Sequence, residues 1–312
     1  MAVYILSYLS MKLTNLIPFI GILLMLLIVE AGAVLFAPLM KSAGITAFED
    51  PTSLTDPVIF IVIMLAFTLF LLVLIRYNHL KLISAVIGLS IWLTFVYIFQ
   101  ALVFPLLSDP LLGIGLAVIL GALASLLLYR YPEWYVIDGL GLLLGAGVAA
   151  IFGVSLGLLP VLLLLLLLAV YDAISVYRTK HMIALAEGVI GLKTPILFVV
   201  PKKRDYSFIR DGVGDLGGDG ERGAFIIGMG DLIMPSILVV SAAVFLPVTL
   251  PLGLNLPALG AMAGSVVGLA VLLWFVNTGK PQAGLPPLNG GTIIGFLLGC
   301  AAAGTWSWLT LL

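Results

Sequence analysis

Two aspartates lie inside apolar runs of this chain, and no other residues offer it as much chemistry. Asp172 follows the wholly apolar residues 161–170 and a tyrosine, giving Tyr171-Asp172. Asp231 closes Gly228-Met229-Gly230-Asp231, with uncharged residues 224–227 before the motif and 232–235 after it. An ionisable group at membrane depth costs about 3 kcal/mol or more unless it is neutralised, paired or hydrated, so it marks a functional site. Two facing carboxyls in a low-dielectric site cannot both ionise easily, and one therefore holds the proton. Such a pair can hydrolyse a peptide bond. The ionised member takes a proton from an attacking water, while the protonated member hydrogen-bonds the carbonyl oxygen and later protonates the leaving amine. No covalent intermediate is needed. Gly228 and Gly230 carry no side chains, so a substrate backbone can come close to Asp231.

The rest of the composition says what must hold these residues. The chain has 312 residues, 62% hydrophobic and 9% charged, with a mean hydropathy of +1.28. Soluble domains carry about 25% charged residues, so most of this surface is expected to face lipid. The net charge is −1 and the basic residues form no stripe, which gives no footing to nucleic-acid binding. A single cysteine, Cys300, excludes an internal disulfide and a cysteine-built metal site. The two histidines, His79 and His181, are too few for a metal cage, and both fall at loop edges. There is no His-Glu-x-x-His and no histidine within a span to activate a serine, so metal-dependent and serine-type membrane proteases are disfavoured. No cofactor is expected. The first apolar run lacks a small-residue cleavage site and reads as a retained span.

A bilayer core needs about 20 apolar residues per helix. Runs of that length fall at 14–38, 57–76, 82–104, 110–130, 135–155, 158–178, 224–247, 255–276 and 289–311. The expected fold is an all-α polytopic membrane protein of nine transmembrane helices, six before and three after a long cytoplasmic loop. Its parts are residues 1–178, the loop 179–223 and residues 224–312, acting as one functional unit. Within the loop, residues 181–195 suit an interfacial helix and 196–200 a short strand, while the glycine-rich and charged residues 201–223 suggest mobility. With nine spans, Lys41 alone of the 14 lysines and arginines falls on the side opposite the N-terminus. The rule that basic loops stay inside then places the N-terminus in the cytoplasm and the C-terminus outside, in a multi-pass protein of the cell membrane.

Span six descends to its basic end at Arg178, six residues after Asp172, and span seven rises past Asp231, seven residues after Ala224. At ~1.5 Å per helical residue both carboxyls sit roughly 9–11 Å below the inner surface. Consecutive antiparallel helices usually pack side by side, so the two carboxyls can meet.

Tyr171-Asp172, Gly228-Met229-Gly230-Asp231 and Ala283-Gly284-Leu285-Pro286, in this order on these spans, resemble the presenilin and signal peptide peptidase family. The family pattern is Tyr-Asp, Gly-x-Gly-Asp and Pro-Ala-Leu, often followed by proline; here Ala283-Gly284 stands where the pattern has Pro-Ala. The resemblance covers the whole layout. It implies an intramembrane aspartyl protease with Asp172 and Asp231 catalytic, and with Leu285-Pro286 shaping the active site and holding extended substrate. Its substrates would be single-span transmembrane proteins in the lipid bilayer. The inside N-terminus is similar to presenilins, whereas signal peptide peptidases are oriented the other way. Without the long acidic or serine-rich loop of an animal presenilin, the chain resembles a compact microbial homologue.

Other readings compete. A prepilin-type peptidase also carries Gly-x-Gly-Asp, but usually with a lysine two residues later, where this chain has Ile233. A proton-coupled transporter with two carrier acids would be expected to show broken helices in corresponding halves, and a six-plus-three division offers none. The acids could also form a structural pair or proton relay. A second Gly-x-Gly-Asp, Gly212-Val213-Gly214-Asp215, has no apolar run around it and reads as a solvated turn. Tyr171 serves either packing or the placing of Asp172. Glu30 is expected to bond between helices. Asp138, read as lying near the outer end of span five, is expected to reach the interface. The four-residue stripes of small residues Gly260, Gly264, Gly268 and Gly291, Gly295, Gly299, Ala303 are expected to be packing faces.

Overall fold

The computed structural model describes residues 2–107, 109–179, 197–202, 205–212, 223–276 and 282–311. Its helices are α1 (Ala2–Ser42), α2 (Thr55–Arg76), α3 (Leu80–Val103), α4 (Pro110–Arg130), α5 (Trp134–Ser155) and α6 (Leu158–Ile174), the last extended by a π-helical turn, Ser175–Thr179. After these come strand β1 (Leu197–Pro201), the single turn α7 (Phe208–Asp211), strand β2 (Ala224–Gly228), and helices α8 (Met229–Phe245), α9 (Leu256–Val276) and α10 (Leu285–Ala303). Among the described residues, eight helices are long and apolar enough to cross a bilayer, and α8, at 17 residues, is a shorter apolar helix. The expected interfacial helix at 181–195 lies outside the described residues.

Span seven departs from the continuous helix expected over 224–247. Residues 224–228 are extended and pair antiparallel with β1, in the register Leu197↔Gly228, Val199↔Ile226 and Pro201↔Ala224. Phe225, Ile226 and Ile227 are β-prone residues, and a partner strand of like composition satisfies their backbone. The remaining helix spans only about 25 Å, short of the ~30 Å of hydrocarbon, so the strand supplies the missing depth. The last span also shifts. Its helix runs over Leu285–Ala303 and not over 289–311: Pro286 and Pro287 fall in the first turn of α10, where a proline removes only an amide that has no helical partner.

α8 is the centre of the molecule, packed by α1, α5, α6, α9 and α10. Residues 235–243 of it are all buried. Helices α2, α3 and α4 lie to one side and present leucine, isoleucine and phenylalanine outward, as a lipid-facing surface should. The two glycine stripes face each other. Added Cβ atoms at Gly260, Gly264 and Gly268 would overlap the backbone of Gly295, Gly291 and Pro287, so α9 and α10 touch backbone to backbone. Glu30 accepts a hydrogen bond from Ser265 at 2.6 Å, joining α1 to α9 as expected.

Asp138 overturns its sequence-based placement. It lies in the first turn and a half of α5, is 4% exposed, and accepts from the Val199 backbone N–H at 2.8 Å. It belongs to the end of the bundle that holds the sheet, and it is buried there rather than interfacial. The expected mobility of 201–223 is likewise limited where that loop is described. Glu133 accepts from the Ser207 hydroxyl at 2.6 Å and the Phe208 N–H at 3.0 Å, docking α7 against the start of α5. The Arg210 guanidinium beside it, helped by the Ser207 amide, holds the Asp211 carboxyl down to about 2. This exposed pair therefore stays ionised above the ordinary carboxylate range, and its contribution fades only as the pH falls towards that value.

Candidate active site

Asp172 sits in the last turn of α6, 8% exposed. Its partner is the N-terminus of α10. The opening amides of a helix have no intrahelical acceptor and carry the positive end of its dipole. Here Leu285 N–H donates to Asp172 Oδ2 at 3.0 Å, and the Gly284 amide bonds the same carboxyl. Pro286 and Pro287 follow and have no amide to satisfy, so a helix can begin in apolar surroundings with few unpaired donors.

Asp231 lies in the first turn of α8, directly after β2, and is partly exposed. Pro235, four residues on, lacks the N–H that would otherwise bond the Asp231 carbonyl, which loosens the helix at this turn. The Asp231 carboxyl rests on the backbone of Gly284: a Cβ added there would lie 2.9 Å from Cγ and from both carboxyl oxygens. Both acids therefore converge on Gly284, near enough to each other to interact electrostatically. A Cβ at Gly228 would make ordinary contact with Asp231 Oδ2 at 3.5 Å, whereas one at Gly230 would meet open space. Gly230 is thus the side from which another chain has room to approach.

The structure brings Asp172, Asp231, Gly228, Gly284 and Leu285 together, with Ala283 and Pro286 on either side. Tyr171 is the exception in direction. Its hydroxyl pairs with Thr68 of α2, so the ring ties α6 to its neighbour.

Sequence reasoning missed two residues that hold the third motif in place. The Tyr177 hydroxyl, on the π-helical turn, donates to Gln282 Oε1 at 2.9 Å and accepts from Ala283 N–H at 3.4 Å. Asn289, fully buried one turn into α10, donates to the Leu165 carbonyl of α6 at 3.0 Å. A buried amide inside an apolar span is a signal that could have found Asn289; nothing in the sequence marks Tyr177. Among the described residues, no group of three or more His, Cys, Asp or Glu is placed to hold a metal ion. What the arrangement can do is hold two carboxyls around Gly284, one fixed by backbone amides and one lying against the glycine where a side chain would go.

Comparison with known proteins bears on this geometry. A profile of the family described as signal-peptide peptidase, presenilin aspartyl protease matches residues 23–305. Two solved structures of a presenilin family intramembrane aspartate protease, in different space groups, are similar to the chain. One is 49% identical and covers 91% of this chain and 99% of that chain, with a TM-score of 0.68. The other is 50% identical and covers 92% of this chain and 99% of that chain, with a TM-score of 0.67. No curated protein matches.

Proposed function

Because the chain belongs to the signal-peptide peptidase and presenilin aspartyl protease family, we propose that Asp172 and Asp231 are the two carboxyls with which it cleaves peptide bonds inside the membrane. The protein is an intramembrane aspartyl protease, and neither a prepilin-type peptidase nor a transporter is favoured beside that finding. The observation that carries the residue assignment is the convergence of both acids on Gly284, where Asp172 takes the backbone amide and Asp231 lies against the α-carbon side. Water held between them loses a proton to the ionised carboxyl and attacks the carbonyl carbon; the protonated carboxyl hydrogen-bonds the oxygen and then protonates the amine. Incubating the purified protein with a single-span substrate, and comparing it with the alanine variants of each acid, tests the assignment.

A transmembrane helix hides its carbonyls in its own hydrogen bonds, so the substrate must be locally extended, and its freed groups need partners. The sheet supports a specific partner. Val199 spends its N–H on Asp138, so Val199 and Ile226 form a non-hydrogen-bonded pair, and Ile226 directs its own N–H and C=O to the far edge of β2. Ala224, Ile226 and Gly228 share that edge, which runs straight to Asp231. A substrate strand added there is held by main-chain bonds, with Leu285-Pro286 across from it. Ile226→Pro removes one such donor without touching the ladder to β1. Cleavage should fall about threefold to tenfold, the worth of one hydrogen bond, with a dyad-directed transition-state analogue still bound. Unchanged cleavage would remove β2 as the substrate edge.

The membrane orientation follows from the charge asymmetry: nine spans, N-terminus and loop 179–223 in the cytoplasm, C-terminus outside. In a Cys300→Ala background, single cysteines at Lys202 and Leu309, both exposed, should be labelled by an impermeant reagent from opposite faces. Labelling of both from one face would mean that the span count is wrong by one.

A further inference from the structure

Asp138 takes no part in the hydrolysis described above, yet it is a buried acid aimed at the sheet. Its Oδ1 accepts the Val199 N–H at 2.8 Å, and its Oδ2 is buried without a partner among the described residues. The same face of α5 continues one and two turns on. A Cβ at Gly141 would strike the Met229 Cε and lie 3.0 Å from the Phe198 ring, and one at Gly145 would touch Ile233 and Val29. Positions 138, 141 and 145 share one stripe of the helix. Along it lie β1, then Met229, then Ile233, so the stripe underlies the whole strand-to-helix turn that carries Asp231. The contacts at Gly141 and Gly145 are apolar and tolerate sliding. The bond at Asp138 is directional. It also meets the one N–H in the middle of β1 that the ladder to β2 leaves unused, a group that is costly to bury unpaired at this depth. A one-residue slip of β1 would break this bond and turn every side chain of the strand to the other face.

We propose that Asp138 is a positioning residue for peptide-bond hydrolysis: as an acceptor for Val199 it fixes the position and register of β1, hence of β2, hence of the Gly228-Met229-Gly230-Asp231 turn. By occupying the outer edge of β1, it also leaves the outer edge of β2 as the one on which a further strand can add. This rests on the reading of Asp231 as catalytic.

The test compares Asp138→Leu, which removes the acceptor but suits an apolar site, with Asp138→Asn, whose carbonyl still accepts. Both are made in the full chain, in lipid, with a single-span substrate; initial rates are fitted for kcat and KM, and cut positions are read by mass spectrometry. Asp138→Leu should lower kcat roughly 10- to 100-fold, as an ångström-scale displacement of a catalytic group does, and should spread the cut positions. Asp138→Asn should stay within about threefold of the parent, with a superimposable pH profile, because the carboxyl acts as an acceptor and transfers no proton. Val199→Pro deletes the same bond from the donor side and should reproduce the loss in kcat even if Asp138→Leu does not fold. Parental kcat in Asp138→Leu or in Val199→Pro would overturn the proposal, as would an Asp138→Asn variant as slow as Asp138→Leu. Asp231→Ala, run alongside, separates the two readings: cleavage that survives there sinks the catalytic assignment itself, whatever Asp138 does.

Discussion

Asp172→Ala and Asp231→Ala are each expected to lose cleavage of a single-span substrate by roughly 10²–10⁴-fold, the usual worth of one general acid or base. The double variant should be no slower than the worse of the two. The reason lies in how the carboxyls are held. Asp172 is held by the Gly284 and Leu285 amides and Asp231 lies against Gly284, and on the proposed assignment each completes the other's task, one taking the water's proton while the other supplies a proton to the amine. Residues that act as a unit do not add, so removing the second member finds little left to remove. Neither change should unfold the protein. Asp231 sits beside the open space at Gly230, and alanine in place of Asp172 leaves the Gly284 and Leu285 amides at a helix start, where opening donors lack intrahelical acceptors in any case and two more orphans are a bearable cost. For the unsubstituted protein, the pair sharing one proton requires a bell-shaped pH profile whose two apparent pKa values belong to the pair and not to either residue. Substantial cleavage by either single variant would defeat the two-aspartate mechanism, and a flat profile from acid to neutral pH in folded protein would defeat the shared proton.

Gly284→Val should give the second-largest loss, about 10²-fold in kcat with little change in stability. Gly284 has φ −77° and ψ −42°, a conformation open to any residue, so the backbone has no need of a glycine. The need is steric, because the Asp231 carboxyl occupies the place where a Cβ would go. A single methyl, as in Gly284→Ala, meets the far end of a side chain with two rotatable bonds and can be accommodated by a small turn of the carboxyl. That also restores the alanine of the family pattern, so a modest change in rate is expected. Valine adds two branched methyls and leaves the carboxyl no such route. Steady-state kinetics of the two variants, with a thermal unfolding midpoint for each, checks the argument. Equal activity in Gly284→Val and the parent protein would mean that Asp231 does not rest on residue 284 during catalysis.

Much of this protein was legible in its sequence. Lipid forces every backbone amide in a span to find its partner within the protein, and a helix does so from its own residues alone. Apolar run length was therefore enough to find α2 to α6 and α9 nearly to the residue, and to show that acids within such runs had to mean something. Tyr171-Asp172 and Gly228-Met229-Gly230-Asp231 were legible for the same reason, as polar residues where hydropathy forbids them. The tertiary structure decided the rest. Residues 224–228 are apolar whether helical or extended, so composition could not distinguish the two; the pairing with 197–201 settled it. The alternation of spans already starts span five on the inner side, after Arg130, so the outer placement of Asp138 was inconsistent with it; what the sequence does not name is its partner, Val199, 61 residues away. Tyr177 meets Ala283 across 106 positions, and Asp172 meets Leu285 across 113. Local periodicity carries no record of such pairs. They exist because close packing of the helices and the two-stranded sheet brings together backbone groups and side chains that no local pattern connects.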